Sequence, residues 1–273
     1  MLFLFVACDP SPSLPQQGEL HLLTYNIHGL PELVTGDDTP ERIRQLSPML
    51  NDYALVGLQE DWDASNHNIV LDNTEHPYSD YFDDTVDSNR VYGSGLTMLS
   101  MVPLLSVTQN HYEQCHGLLD GAADCFASKG FQRAEISLNE EQSLFVYNTH
   151  LEAGSGDEDN LARDSQIDQL LASMASLSPE SPFVLMGDLN LRPTDPEDVP
   201  LLDKLHASGL LDSCQETECS EANHIDRILF RSSSTVDLYA RHWSRETQFV
   251  DNDGVDLSDH PAVSATISWG IVD

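Results

Sequence analysis

Residues Pro182–Pro193, PFVLMGDLNLRP, form a short apolar run bounded by prolines that feeds straight into Gly187, Asp188, Leu189 and Asn190. A run this short reads as a buried strand. Alternate side chains of an extended chain share a face, so Asp188 and Asn190 are expected to project together, a carboxylate beside a neutral amide. That pair suits a hard cation and a phosphate. Alone it is also ordinary turn chemistry, and recurrence is what gives it weight. A predicted strand over 19–26 delivers Asn26, one over 54–58 delivers Glu60, and one over 143–149 delivers His150; Asp226 and the Asp259–His260 pair stand at or near the starts of two more. Oxygen ligands for a cation, together with imidazoles that move protons near neutral pH, are what phosphate-ester hydrolysis requires.

The elements that must position these residues follow from pattern. Thr39-Pro40-Glu41 reads as a helix start, with Thr39 as N-cap and Pro40 at the first helical position, and the helix is expected to run to about Asn51. Residues 61–91 are polar and rich in Asp and Asn, which predicts long loops and at most a short strand. Gly93-Ser94-Gly95 opens another strand, and 107–127 reads as an irregular segment stapled by its two cysteines. Two strands over 130–138 and 143–149 flank Asn139-Glu140-Glu141 in hairpin grammar. The clearest helix is Asp157–Leu177, whose Leu161, Ile167, Leu170, Leu171 and Met174 share one stripe expected to pack on the core. A short helix near 200–211 and strands over 225–230 and 262–269 complete the chain.

Length and 40% hydrophobic content suit one large domain over 19–273. A formal charge of -34, from 12 Lys+Arg against 46 Asp+Glu, leaves little with which to build a basic face, so duplex DNA is disfavoured as a partner. The start, MLFLFVACDPSPSLPQQ, has an apolar run too short to span a bilayer. With a small residue just before Cys8, it resembles the cleavage site of bacterial lipoproteins, which predicts a truncated signal and spacer over 1–18 and a lipid on Cys8. Cys115, Cys125, Cys214 and Cys219 remain, an even number without zinc-site spacing; three connectivities are open, and the local one, Cys115–Cys125 and Cys214–Cys219, is expected in an oxidising compartment. Export follows, either anchored to a bacterial cell envelope or secreted.

The motifs TYNIHG around Asn26, GLQE ending at Glu60, NTHL around His150, GDLN at Asp188–Asn190, IDRIL around Asp226 and SDHPAV at Asp259–His260 occur in order across nearly the whole chain. As a set they resemble the endonuclease/exonuclease/phosphatase superfamily, which includes DNase I. The resemblance implies an α/β four-layer sandwich, two mixed β-sheets packed face to face and flanked by helices, with the site at one edge. It also implies a Mg²⁺ site of one or two ions, with Mn²⁺ or Ca²⁺ as possible replacements, held by Glu60 with Asn26, Asp188, Asn190, Asp259 and His260 around it. His260 is then the general base, Asp226 its orienting partner, Asp188 and Asn190 the residues that orient the attacking water, and His150 the group that assists the phosphate or leaving oxygen. The usual carboxylate partner of His150 stays open among Asp80, Asp83, Asp84 and Asp87.

Two segments lean toward bacterial neutral sphingomyelinases: Asp124–Phe131, with Lys129-Gly130 opening a strand, and His150-Leu151-Glu152-Ala153 followed by Arg163-x-x-Gln166. Those enzymes carry an exposed aromatic hairpin for membrane docking, and only Trp243 and Phe249 stand in the matching region here. The expected activity is a Mg²⁺-dependent phosphodiesterase of sphingomyelinase C type, acting as a monomer on a phospholipid head group at a membrane surface. The alternatives are a secreted nuclease or small-molecule or inositol phosphatase of the same fold, and a lipid-anchored binding protein without turnover.

Overall fold

The computed structural model describes residues 16–117, 124–178, 181–221 and 223–272. The expected lipidation site Cys8 and most of the expected signal and spacer lie outside these residues. The strands are β1 (Gln17–Asn26), β2 (Leu55–Gln59), β3 (Tyr78–Phe82), β4 (Leu96–Ser100), β5 (Leu104–His111), β6 (Gly130–Ser137), β7 (Ser143–His150), β8 (Phe183–Asp188), β9 (Leu211–Asp212), β10 (Asp226–Arg231), β11 (Val236–Glu246) and β12 (Ala262–Ile271). They form two six-stranded sheets, ordered β11-β12-β1-β2-β4-β3 and β5-β6-β7-β8-β10-β9. Pairs β1–β2 and β7–β8 are parallel and the other pairs antiparallel, so both sheets are mixed.

Period-two burial builds the layers. Val184 and Met186 of β8 face Leu22, Leu55, Met98 and Ile267 across the gap between the sheets, while Phe183 and Leu185 turn outward to Ile167, Leu170 and Met174 of the helix Asp157–Ala175. On the other sheet Leu23 and Tyr25 of β1 turn outward to Ile43 and Leu46 of the helix Thr39–Leu46 and to Val70 of the helix Ala64–Asn73. The result is the four-layer sandwich expected of the superfamily. A polar seam crosses the gap below one edge. Asn148 donates to Leu58 O, Thr97 O and Gln132 Oε1, and accepts from Gln59 Nε2 at 2.8 Å. Every amide in that seam finds a partner, so it fixes how the sheets register against one another.

Several local expectations are corrected. Residues 61–91 hold the helix Ala64–Asn73, started by Asp63 accepting from the Ser65 and Asn66 N–H groups, as well as β3. Residues 104–111 pair as an edge strand, and their two half-wet faces carry no clear alternation to read. The N-cap of Thr39–Leu46 is Asp38, which accepts from the Glu41 N–H, while the Thr39 hydroxyl donates to Leu30 O and Asp37. Leu161 leaves the core stripe and is 63% exposed. Cys115–Cys125 and Cys214–Cys219 are paired, the local connectivity.

Candidate active site

The parallel pairs explain why the chemistry collects at one edge. Strands β1 and β2 run together and end in Asn26 and Glu60; β7 and β8 run together and end in His150 and Asp188. Antiparallel β10 begins opposite β8, with Asp226 paired to Asp188, and antiparallel β12 begins just after His260, beside the end of β1. Ends of parallel strands and starts of antiparallel ones thus share one rim. Turns at this rim are tight. His28, Glu60 and Asn190 all take positive φ, 47°, 60° and 51°, a conformation that costs non-glycine residues energy and is held by its surroundings. Gly187, at φ 152°, lies where a Cβ would meet Thr149 O at 1.9 Å, so only glycine brings β8 close enough to β7.

At the rim, Asn26 Nδ2 donates to Glu60 Oε1 at 2.9 Å and to Asp188 Oδ2 at 3.2 Å, and so ties a carboxylate of one sheet to one of the other. Its Oδ1 accepts from the His28 N–H at 3.1 Å. His260 Nδ1 lies 3.1 and 3.2 Å from the Asp226 oxygens and 3.6 Å from Asp188 Oδ2. His150 Nε2 lies 3.6 Å from the same Asp188 oxygen and 3.2 Å from Lys129 Nζ. Asp188 and Asn190 do not share an extended face as expected: the strand stops at Asp188, Asn190 turns left-handed, its N–H donates to Asp188 Oδ1, and its Nδ2 donates to Leu151 O. Asp259 sits farther out, its side chain 61% exposed and 3.5 Å from His28 Nδ1.

Electrostatics sharpen this picture. Burial first, then the Asp226 charge, push the Asp188 carboxyl up to about 7. Burial alone would lower the His260 imidazole, but its hydrogen bond to Asp226 and the Asp188 charge outweigh burial and raise it to about 9. Burial would raise the Glu60 carboxyl, yet His28, His150, Asn26 and Lys129 together hold it well below the usual range. The hydrogen bond to Glu60 in turn raises His28.

The residues present fit a divalent cation. His28 Nδ1 stands 3.7 Å from Glu60 Oε2 and 3.5 Å from Asp259 Oδ1, so two carboxylates converge on one imidazole nitrogen. Beside them Asp188, Asp226 and His260 bring ligand atoms within 4.8 Å of one another, an acidic pair whose crowding a cation would relieve. Asn26 turns its amide nitrogen, not its oxygen, to the carboxylates.

Sequence reasoning left several contributors out. His28, in the TYNIHG motif, stands between Glu60 and Asp259, a role that its residue type alone does not signal. Lys129 is 5% exposed; its ammonium donates to Leu151 O and meets His150, a contact between the start of β6 and the end of β7 that sequence spacing does not show. Arg163 and Gln166 hold the loop after His150: Arg163 Nη1 donates to Glu152 O, Ala153 O and Gly154 O, and the Gln166 amide brackets Glu152. Arg42 joins the two loops of the other sheet, donating to Ile27 O, His28 O and Leu257 O. Among the described residues, Asp188 of the same rim brings a carboxylate to His150 Nε2; Asp80, one of the four acidic candidates, accepts from Gln109 and Gln132. Trp62 walls one side, its indole N–H on Glu60 and its ring 6.4 Å from His150.

A sphingomyelinase of Mycobacterium tuberculosis is 25% identical to this chain over 281 residues, 95% of this chain but 54% of that protein. The chain thus spans about half the length of that relative. Sphingomyelinase C from Streptomyces griseocarneus superposes with a TM-score of 0.70 at 18% identity, covering 91% of this chain and 99% of that one. The beta toxin of Staphylococcus aureus, in a mutant form with bound magnesium ions, gives a TM-score of 0.70 at 16% identity, covering 91% and 99%. These structural likenesses speak to the fold. A family model matches residues 23–260, from β1 through His260, and the chain therefore belongs to the endonuclease/exonuclease/phosphatase family.

Proposed function

We propose that this chain is a Mg²⁺-dependent phosphodiesterase that releases a phosphorylated head group from sphingomyelin or a related phospholipid by direct attack of water on phosphorus. The observation that carries the reading is the continuous array Glu60–Asn26–Asp188–His260–Asp226, joined by contacts of 2.9 to 3.6 Å across the edge of both sheets. Glu60 is the principal ligand for the cation, with Asp259 and the Asp188–Asp226 pair next to it. A bound divalent cation would neutralise phosphate oxygens and lower the proton affinity of both water and His260.

The chain's own groups do the rest. Asp226 occupies His260 Nδ1 and leaves Nε2 to take the proton of the attacking water. Asp188, anchored by the Asn26 amide and the Asn190 N–H, orients that water; Asn190 and His150 lie across the phosphate. Lys129 donates toward His150 Nε2, which places positive charge where the leaving oxygen develops negative charge. No activated serine or cysteine is required, and water is the nucleophile.

Three observations support a zwitterionic lipid over a nucleic acid: the net charge of -34, the buried Lys129 beside His150, and the Arg163–Gln166 clamp on the loop after it, which belongs to the sphingomyelinase-like cue. Trp243 and Phe249 do not supply an exposed aromatic pair. Phe249 is buried against Tyr25, and Trp243 is half-buried beside His224. Two disulfides are consistent with export, and no described helix is long and apolar enough to cross a membrane. The test is phosphocholine release from sphingomyelin in mixed micelles, with Mg²⁺ and then with excess chelator, run beside plasmid nicking at low salt. Chelator-sensitive phosphocholine release is expected; nicking without release would transfer the assignment to the nuclease reading.

A further inference from the structure

In a chain with 12 Lys+Arg and 46 Asp+Glu, a cation without a partner stands out. Among the described residues the lysines and arginines are held in ion pairs, on carbonyl oxygens or over aromatic rings, with two exceptions. The guanidinium groups of Arg192 and Arg245 have no ion pair, hydrogen bond or ring contact with any described residue. Both line one groove of about 270 Å³ that opens beside His260 and Asp226. Arg192 belongs to the loop that follows Asp188 and Asn190, and Arg245 lies on β11 opposite Val263 of β12. Glu221 and Asp259 line the groove too, yet neither pairs with either arginine. Trp243 shares the wall, and its buried indole N–H has no acceptor. The two unpaired guanidinium groups and the indole N–H offer donors that a phosphate's oxygens satisfy, on the side of the groove that Glu221, Asp226 and Asp259 leave unpaired.

We propose that this groove is a subsite for a second phosphate group, one that is not cleaved, held by Arg192 and Arg245 next to the scissile diester. The inference rests on the phosphodiesterase reading and sharpens its substrate class. The second phosphate belongs either to the substrate itself or to a neighbouring lipid head group in the bilayer. A backbone-tracking site for nucleic acid would need a basic face along its length, which the acidic surface does not offer.

The test compares the full chain with Arg192→Gln, Arg245→Gln and the double variant, all at exposed positions, after equal melting temperatures have been verified. In the soluble arm, kcat/KM is measured for thymidine 5′-(4-nitrophenyl phosphate) and for the same compound bearing a 3′-phosphate. In the lipid arm, the rate on sphingomyelin in phosphatidylcholine vesicles is divided by the rate on dispersed short-chain sphingomyelin. A third arm needs no turnover: equilibrium titration with thymidine 3′,5′-bisphosphate and with thymidine 5′-monophosphate. Two exposed charge-assisted contacts predict a preference of about tenfold in the wild type that falls to near one in the double variant. Loss of preference in the soluble arm assigns the phosphate to the substrate, and loss confined to the vesicle arm assigns it to a neighbouring lipid. Absence of turnover in both the soluble and the lipid arm refutes the phosphodiesterase reading, and the titration still decides the subsite. Preferences that are the same in wild type and double variant in all three arms overturn the inference.

Discussion

Asp188→Asn separates the cost of the site from the stability of the fold. The Asp188 carboxyl goes from 3.8 to about 7 on folding, because it is fully buried and faces Asp226. Below pH 4 it is protonated in both states and costs nothing. As pH rises from about 4 to 7 the unfolded chain gives up this proton first, so the folded state loses stability; the loss is complete above 7. At ~1.36 kcal/mol per pKa unit the ceiling is about 4 kcal/mol. Part of this is returned, since the same charge helps raise His260 from 6.5 to about 9, a contribution fully present below pH 6.5 and lost progressively as pH rises to about 9. A net gain of about 2 kcal/mol is therefore expected for Asp188→Asn at pH 8 relative to its effect at pH 4.5. Taking that difference cancels any fixed cost of placing the new amide near Asn26. The assay is urea unfolding in chelator from pH 4.5 to 8.5, comparing wild type and variant. Added Mg²⁺ should restabilise the wild type at pH 8 more than the variant. A stability difference that is flat with pH, or that moves against the variant as pH rises, would refute the electrostatic reasoning.

Other consequences follow from the same geometry. His260→Ala should reduce phosphodiester turnover by about a thousandfold or more by removing the base; circular dichroism should stay native while the melting temperature falls, because the imidazole also offsets the Asp188 and Asp226 charges; retention of most activity would remove His260 from the mechanism. Arg163→Ala should destabilise the chain by about 3 kcal/mol, since it strands three carbonyl oxygens beside a buried cavity, and should lower kcat more than Mg²⁺ affinity because the loop it holds begins after His150. An unfolding midpoint unchanged by that substitution would show that the clamp is not needed.

The sheets' framework and most of the rim could be read in the sequence because each rested on a local signal. Short apolar runs such as Phe183–Met186 marked buried strands, and the motifs at their ends marked the side chains that leave them. What escaped depended on partners distant in sequence. Asp38 outcompeted Thr39 as the helix cap because the Thr39 hydroxyl is used by Leu30 and Asp37. The edge strand Leu104–His111 borrows its order from β6, so its own residues show little alternation. Leu161 is exposed because it lies about 180° around the helix from Leu170, while Ala162 and Arg163 in the same turns are buried. The role of His28 is not legible locally because it depends on Glu60 and Asp259 converging from different loops, and Asn190 departs from the expected face because its left-handed backbone breaks the strand's alternation. Arg42 and Arg163 act through backbone carbonyls, which leave no trace in residue types.

The most direct test of the central claim, that these strand ends form one cation-dependent phosphodiesterase site, is a Mg²⁺ titration of sphingomyelin cleavage by the wild type and by Glu60→Gln at equal pH. Glu60 loses its charge but keeps its shape in this variant, and the side-chain oxygen that accepts from Asn26 is retained. The account predicts activity that is abolished by chelator, restored by Mg²⁺, and shifted at least tenfold toward higher Mg²⁺ in Glu60→Gln. Cleavage that persists in chelator, or identical titration curves for the two proteins, would contradict it.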